Sequence, residues 1–164
     1  NSMLDDALDD DVDVLILQHD DLEIVDPDGE EKLVKALADP SAVLAGVAGG
    51  SAGGGLAWWN VEPVGRVRWN SGVIDFGKRA GDVEMLDGCL LALGRWAIEN
   101  LHFAPRPGFH GYDGDICMKA RQAGRRVVAV DLEVYHHTAL GFDNDASRDD
   151  WLDADREFRR RWGV

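Results

Sequence analysis

The sequence has little cysteine, with two in 164 residues. Cys89 and Cys117 sit in apolar surroundings with no metal-type spacing between them, which argues against a disulfide framework or a thiolate cage and for reduced thiols in a core. No apolar run approaches the roughly 20 residues that cross a bilayer, and no charged-then-apolar leader opens the chain. A cytoplasmic protein without an integral membrane segment is the expectation. Cations are scarce at the front, where residues 1–50 carry 14 acidic and 2 basic side chains against 17 and 15 in the remainder. Nucleic acid and anionic membranes are held by Lys and Arg, so an acidic front argues against both as partners. The Asp-rich start itself reads as a solvated face. The Gly-rich residues 48–60 lack the Gly-Lys-Ser/Thr of a phosphate loop and any strand-to-helix Gly-x-Gly-x-x-Gly, so they read as a mobile loop ending in Trp58 and Trp59.

What is present is one good core. At 45% hydrophobic and 164 residues, the chain has the size of one domain, residues 1–164. A short helix over residues 1–8 precedes an apolar run at 12–17, which suits a strand covered on both faces. That run ends in His19-Asp20-Asp21, so potential ligands stand just past a strand end, where open α/β sheets bind ligands. Asp26-Pro27 starts a helix to about residue 38 with Leu33, Val34 and Leu37 inward, and residues 43–47 form a second buried strand. Strand, helix, strand implies a parallel crossover. Residues 64–69 and 73–76 flank the hairpin signal Asn70-Ser71-Gly72. Trp58 and Trp59 read equally well as core or as a sugar-stacking surface. A last helix, about residues 147–162, presents Trp151, Phe158 and Trp162 as a stripe for docking onto the core.

The densest chemistry lies between Gly108 and Thr138. A Gly-rich turn after Pro105 and Pro107 delivers Asp113 and Asp115 to the start of a helix that stops at Gly124. A Val-rich strand follows, and a further extended segment ends in His136-His137. Carboxylates at a helix N-terminus are stabilised as anions, which suits a base, a metal ligand or a plain cap. Adjacent strand residues face opposite ways, so only one of His136 and His137 can reach a given site.

The order of an acidic turn, a helix ending in Ala-Gly, a buried strand and then His-His resembles the second half of a GT-A glycosyltransferase of the inverting, family-two-like kind. Residues 1–21 look like the segment leading into that family's Asp-x-Asp motif, here His19-Asp20-Asp21, and Asp87-Gly88 looks like the core of its acceptor-site segment. The resemblance covers most of the chain to about Gly141. It implies an α/β, mostly parallel, Rossmann-like central sheet flanked by helices. It also implies a divalent cation, Mn²⁺ or Mg²⁺, with Asp21 and His136 as leading ligands, His19 and Asp20 as further candidates and His137 a weaker one. Asp113 would be the catalytic base, with Tyr112 in the place of a preceding acid and Asp115 structural. Asp87, Gly88, Tyr112, Trp58 and Trp59 would bind substrate. A nucleotide-sugar donor and a hydroxyl acceptor are the implied partners.

Family members begin with a strand, helix and strand that build the nucleotide-base pocket, and this sequence starts after them. The expectation is an N-terminally truncated domain, the C-terminal two-thirds of that fold, with an open sheet edge that favours homo-oligomers. Two other readings fit the residues. One is a non-catalytic module of the same fold that binds a partner or carbohydrate. The other is a metal-dependent hydrolase using His19, Asp21, Asp113 and His136 around one ion.

Overall fold

A computed structural model describes residues 1–105, 108–138 and 145–164; Pro107 and Gly141 lie outside them. The chain runs through α1 (Ser2–Asp9), β1 (Val14–Gln18), β2 (Leu22–Ile24), α2 (Gly29–Leu37), β3 (Ala42–Gly46) and β4 (Ala48–Gly50). Two single 3-10 turns, Ala52–Gly54 and Trp58–Asn60, lead to β5 (Val64–Trp69), β6 (Gly72–Asp75), β7 (Gly81–Val83), β8 (Met85–Leu86) and β9 (Leu90–Gly94). Then come α3 (Arg95–Asn100), α4 (Tyr112–Gln122), β10 (Arg126–Ala129), β11 (Val134–His136) and α5 (Asp145–Trp162). Among the described residues no helix is long and apolar enough to cross a membrane.

The strands form two sheets, one ordered β1-β9-β3-β10-β7 and the other β2-β11-β5-β4-β8 with β6 against β5. Among the described residues most neighbours are antiparallel, and only β3–β10 and β5–β11 run parallel. This mixed α/β architecture overturns the expected mostly parallel, Rossmann-like sheet. The physical cause is β9, which lies between β1 and β3 and pairs antiparallel with both, as in Leu15↔Leu93 and Leu44↔Leu93. The crossover from β1 through α2 to β3 therefore does not make neighbours. β3 and β9 are buried along their whole length. Strands covered on both faces are continuously apolar whichever way they run, so their sequences carry no sign of direction. β1 is an edge strand with half-buried side chains, not a strand covered on both faces.

The core joins β3, β9 and β10 to Ile98 of α3, Leu33 of α2 and Ile116 of α4. Val34, expected inward, is 50% exposed. α4 starts after Gly111, at φ +84°, and ends before Gly124, at φ +74°, both left-handed conformations that glycine adopts without strain. Cys89 and Cys117 are free thiols in the core, and burial pushes the Cys117 thiol up to about 12.

Residues 48–60 are more ordered than a loop. β4 pairs with β5 and β8, and the Glu84 carboxylate accepts from Ser51 Oγ and Ala52 N at 2.7 and 2.8 Å. From α5, Asp155 Oδ1 accepts from Leu56 N at 2.7 Å, and Arg159 donates to the Gly54 carbonyl at 2.6 Å. A helix that reads as a core-docking stripe thus also clamps the segment bearing Trp58 and Trp59.

Candidate functional site

A cleft of about 1100 Å³ opens where the β1 and β11 ends meet the start of α4. His19 leaves β1 with its N–H bonded to the Cys89 carbonyl at 3.0 Å, and a tight turn, Leu22 N to His19 O, brings in Asp21. β2 then pairs with β11, His136 opposite Leu22, and His137 N donates to the Asp21 carbonyl at 2.8 Å. Two segments more than a hundred residues apart are thereby fixed side by side. His136 Nε2 stands 3.3 Å from both His19 Nδ1 and Asp21 Oδ1. All three donor atoms lie within 4.8 Å of one another.

These residues fit a divalent ion. Ligands about 2.1 Å from a shared ion stand about 3.0–3.4 Å apart in octahedral or tetrahedral geometry, which matches the two closest separations. His136 is 4% exposed and packs edge-on against Trp69, ring centroids 4.3 Å apart. Burial, with His19 adding to it, pushes the His136 pKa down against the pull of Asp21, so the neutral, ligand-competent imidazole is the stable form near neutral pH. Its Nδ1 is buried without a hydrogen-bond partner. Asp20 lines the cleft but is exposed and outside this cluster. His137 points the other way, to Glu23 at 3.1 Å on the solvent side.

The second feature of the cleft is the first turn of α4. Asp113 Oδ1 accepts from Gly114 N at 2.8 Å and Oδ2 from Gly88 N at 3.0 Å. Those bonds favour the anion, yet burial first and the Asp87 charge second push the Asp113 pKa up to about 6. Asp87 lines the cleft, with its Oδ1 accepting from Cys89 N at 2.9 Å. Gly88 is a bridge: its N–H reaches Asp113, while its carbonyl accepts from the Tyr112 hydroxyl at 2.9 Å. A Cβ on residue 88 would lie 2.5 Å from Tyr112 Oη, so only glycine permits this approach. Tyr112 Oη also meets His19 Nε2 at 3.1 Å, and burial raises its pKa. Asp115 does not line the cleft; it is 1% exposed and ion-paired with Lys119 at 2.9 Å and Arg161 at 3.2 Å.

The third feature is aromatic. Trp58 is buried and packs on Phe76, whereas Trp59 is 42% exposed. The Trp59 ring lies 5.9 Å from that of Trp151 at an interplanar angle of 34°. Trp151 thus joins the cleft wall as well as the helix face, and Phe109 stacks at 5.6 Å on His19. Sequence reasoning missed both roles, because helical spacing says which face Trp151 shares and not which cavity that face borders, and Phe109 lies in a non-helical turn with no periodicity to give it a direction. The structure brings His19, Asp21, Asp87, Gly88, Tyr112, Asp113, Trp58, Trp59 and His136 to one cleft.

No family model matches the chain. Over 150 residues it is 34% identical to the streptomycin biosynthesis protein StrF of Streptomyces griseus, covering 87% of this chain and 53% of StrF. Over 135 residues it is 33% identical to a protein of Fuscovulum blasticum described as ATP synthase subunits region ORF 6, covering 75% of this chain and 51% of that one. The chain thus spans about half the length of the curated relatives it matches. Among solved structures, A197 from STIV superposes with a TM-score of 0.51 at 19% identity, covering 83% of this chain and 64% of A197. That likeness concerns the fold alone.

Proposed function

We propose that this chain carries the metal site and general base of an inverting, family-two-like glycosyltransferase, one that moves a sugar from a nucleotide-sugar donor to an acceptor hydroxyl. The observation that supports it most is the convergence of His19, Asp21 and His136 in the same cleft as a carboxyl, Asp113, whose pKa is raised to about 6. An acid tuned toward neutrality inside a cleft is suited to general-base work. The resemblance in the sequence assigns the same residues the same roles.

In this reading His19, Asp21 and His136 hold a divalent ion, which when bound would balance the charge of the leaving diphosphate. Two imidazoles and one carboxylate favour Mn²⁺ over Mg²⁺, which prefers an all-oxygen shell. The Asp113 carboxylate takes the acceptor hydroxyl proton as that oxygen bonds to the anomeric carbon and the bond to diphosphate breaks, inverting the centre. Its two backbone N–H partners hold it in place, and each oxygen keeps a lone pair for the incoming proton. The Trp59–Trp151 wall offers flat apolar surface to a sugar ring. Two buried thiols suit a reducing compartment, the cytoplasm.

The hydrolase reading needs Asp113 among the ligands, and the cluster of converging donors leaves it out. The test is calorimetric titration of the chain with Mn²⁺, alone and with a nucleoside diphosphate. A transferase site gives Mn²⁺ binding that the diphosphate tightens and that Asp21→Ala or His136→Ala abolishes. Binding that is indifferent to diphosphate, or that survives both substitutions, refutes the proposal.

A further inference from the structure

We infer that Tyr112 is a positioning residue that fixes the tautomer of His19, turning the Nδ1 lone pair of His19 toward Asp21 and His136. Its purpose rests on the metal-site reading above; its geometry stands on three hydrogen-bonded groups. Tyr112 Oη lies 2.9 Å from the Gly88 carbonyl oxygen and 3.1 Å from His19 Nε2. A carbonyl can only accept, and a phenol has one proton to give. Two oxygens 2.9 Å apart need that proton between them, so Tyr112 donates to Gly88. The contact with His19 must then run the other way, with His19 Nε2–H donating to the phenol oxygen. A neutral imidazole carries one N–H, so Nδ1 is left with its lone pair. That Nδ1 is the atom 3.3 Å from His136 Nε2.

The sequence suggested a different use for Tyr112, as a substrate-binding residue in the position of an acid. The structure already gives its hydroxyl two protein partners, so its proton is not available to a ligand without breaking the bond to Gly88. The relay is also short and stiff. Gly88 has no Cβ to hold the ring away, and its N–H holds Asp113 at the same time. One residue, Gly88, therefore ties the candidate metal ligand to the candidate base through the two peptide groups that flank its Cα. A hydrogen-bond partner that orients a ligating histidine is typically worth 10–100-fold in metal affinity.

The test is long-range ¹⁵N–¹H correlation NMR on the full chain labelled at histidine, at a pH of about 8 where an ordinary imidazole is neutral, paired with calorimetric Mn²⁺ titration. In the wild type, His19 should be protonated at Nε2. Tyr112→Phe keeps the ring and removes the acceptor, so His19 should become a mixture of tautomers and Mn²⁺ affinity should fall about 10–100-fold. A wild-type His19 protonated at Nδ1 overturns the inference, and that spectrum decides it even where Tyr112→Phe fails to fold. A folded Tyr112→Phe with an unaltered His19 tautomer also overturns it, whatever its affinity. A changed tautomer with unchanged Mn²⁺ affinity upholds the role of Tyr112 and removes His19 from the ligand set. That outcome counts against the metal-site reading alone.

Discussion

Replacing Asp113 by Asn should make the protein more stable while removing the transferase activity proposed above, and the stability half can be measured without knowing any substrate. The Asp113 pKa is raised from 3.8 to about 6, so between those values the folded chain binds a proton that the unfolded chain does not. Stability therefore falls as pH rises through this window. The penalty is absent below about 4, grows between 4 and 6, and is complete above 6. A rise of that size corresponds to about 3 kcal/mol at full development. Asn carries no charge to desolvate and recovers this term. Its amide can accept from only one side, so one of the two backbone donors, Gly88 N or Gly114 N, loses its acceptor at about 1–2 kcal/mol. The net expectation at pH 8 is a gain of about 1–2 kcal/mol, or about 2–8 °C in Tm for a chain of this size. At pH 4, where the wild-type acid is already protonated, the gain should vanish or reverse. Urea denaturation of both proteins at pH 4 and pH 8 reads this directly. A difference that does not change with pH, or an Asn variant less stable than wild type at pH 8, refutes the assignment of a destabilised, base-competent carboxyl at this position. In a turnover assay with donor and acceptor, the same substitution should cost about 10²–10⁴-fold, and the wild-type rate should drop about tenfold from pH 7 to pH 5 as the base is protonated.

Gly88→Ala should lose about 1–3 kcal/mol, since the new methyl meets Tyr112 Oη at 2.5 Å; it should weaken Mn²⁺ binding too, and wild-type behaviour in both would remove Gly88 from the bridge. Asp155→Ala strips the acceptor from Leu56 N and the partner from Arg159, so a loss of about 1–3 kcal/mol in urea and altered tryptophan fluorescence are expected; unchanged stability would mean that α5 does not clamp this segment. Trp59→Ala should weaken binding of a sugar acceptor severalfold without lowering stability by more than about 1 kcal/mol, because the ring is 42% exposed; equal acceptor affinity would return Trp59 to an ordinary surface role. Asp20→Ala should leave Mn²⁺ affinity unchanged, as its position outside the cluster requires, and a tenfold loss in calorimetry would place it among the ligands.

By itself the sequence determined most of the local structure. Helix punctuation at Gly124, the β5–β6 hairpin at Asn70-Ser71-Gly72, and the opposite facing of His136 and His137 follow from backbone sterics and the two-residue period of a strand, while which of the two histidines turns inward was decided by packing. It also marked the chemistry at His19–Asp21 and at Asp113, because polar groups that close an apolar strand or open a helix stand out in a one-dimensional pattern; Asp87–Gly88 and Tyr112 were marked by the family resemblance instead. Sheet direction was beyond it. β3 and β9 are buried throughout, and a strand covered on both faces reads the same whether its neighbour runs with it or against it. Only the tertiary structure put β9 between β1 and β3, set Trp151 opposite Trp59, and brought the Tyr112 hydroxyl to His19. Each of these depends on which distant segments pack together, and packing is decided by the fit of side chains across the whole core, a property that no local stretch of sequence carries.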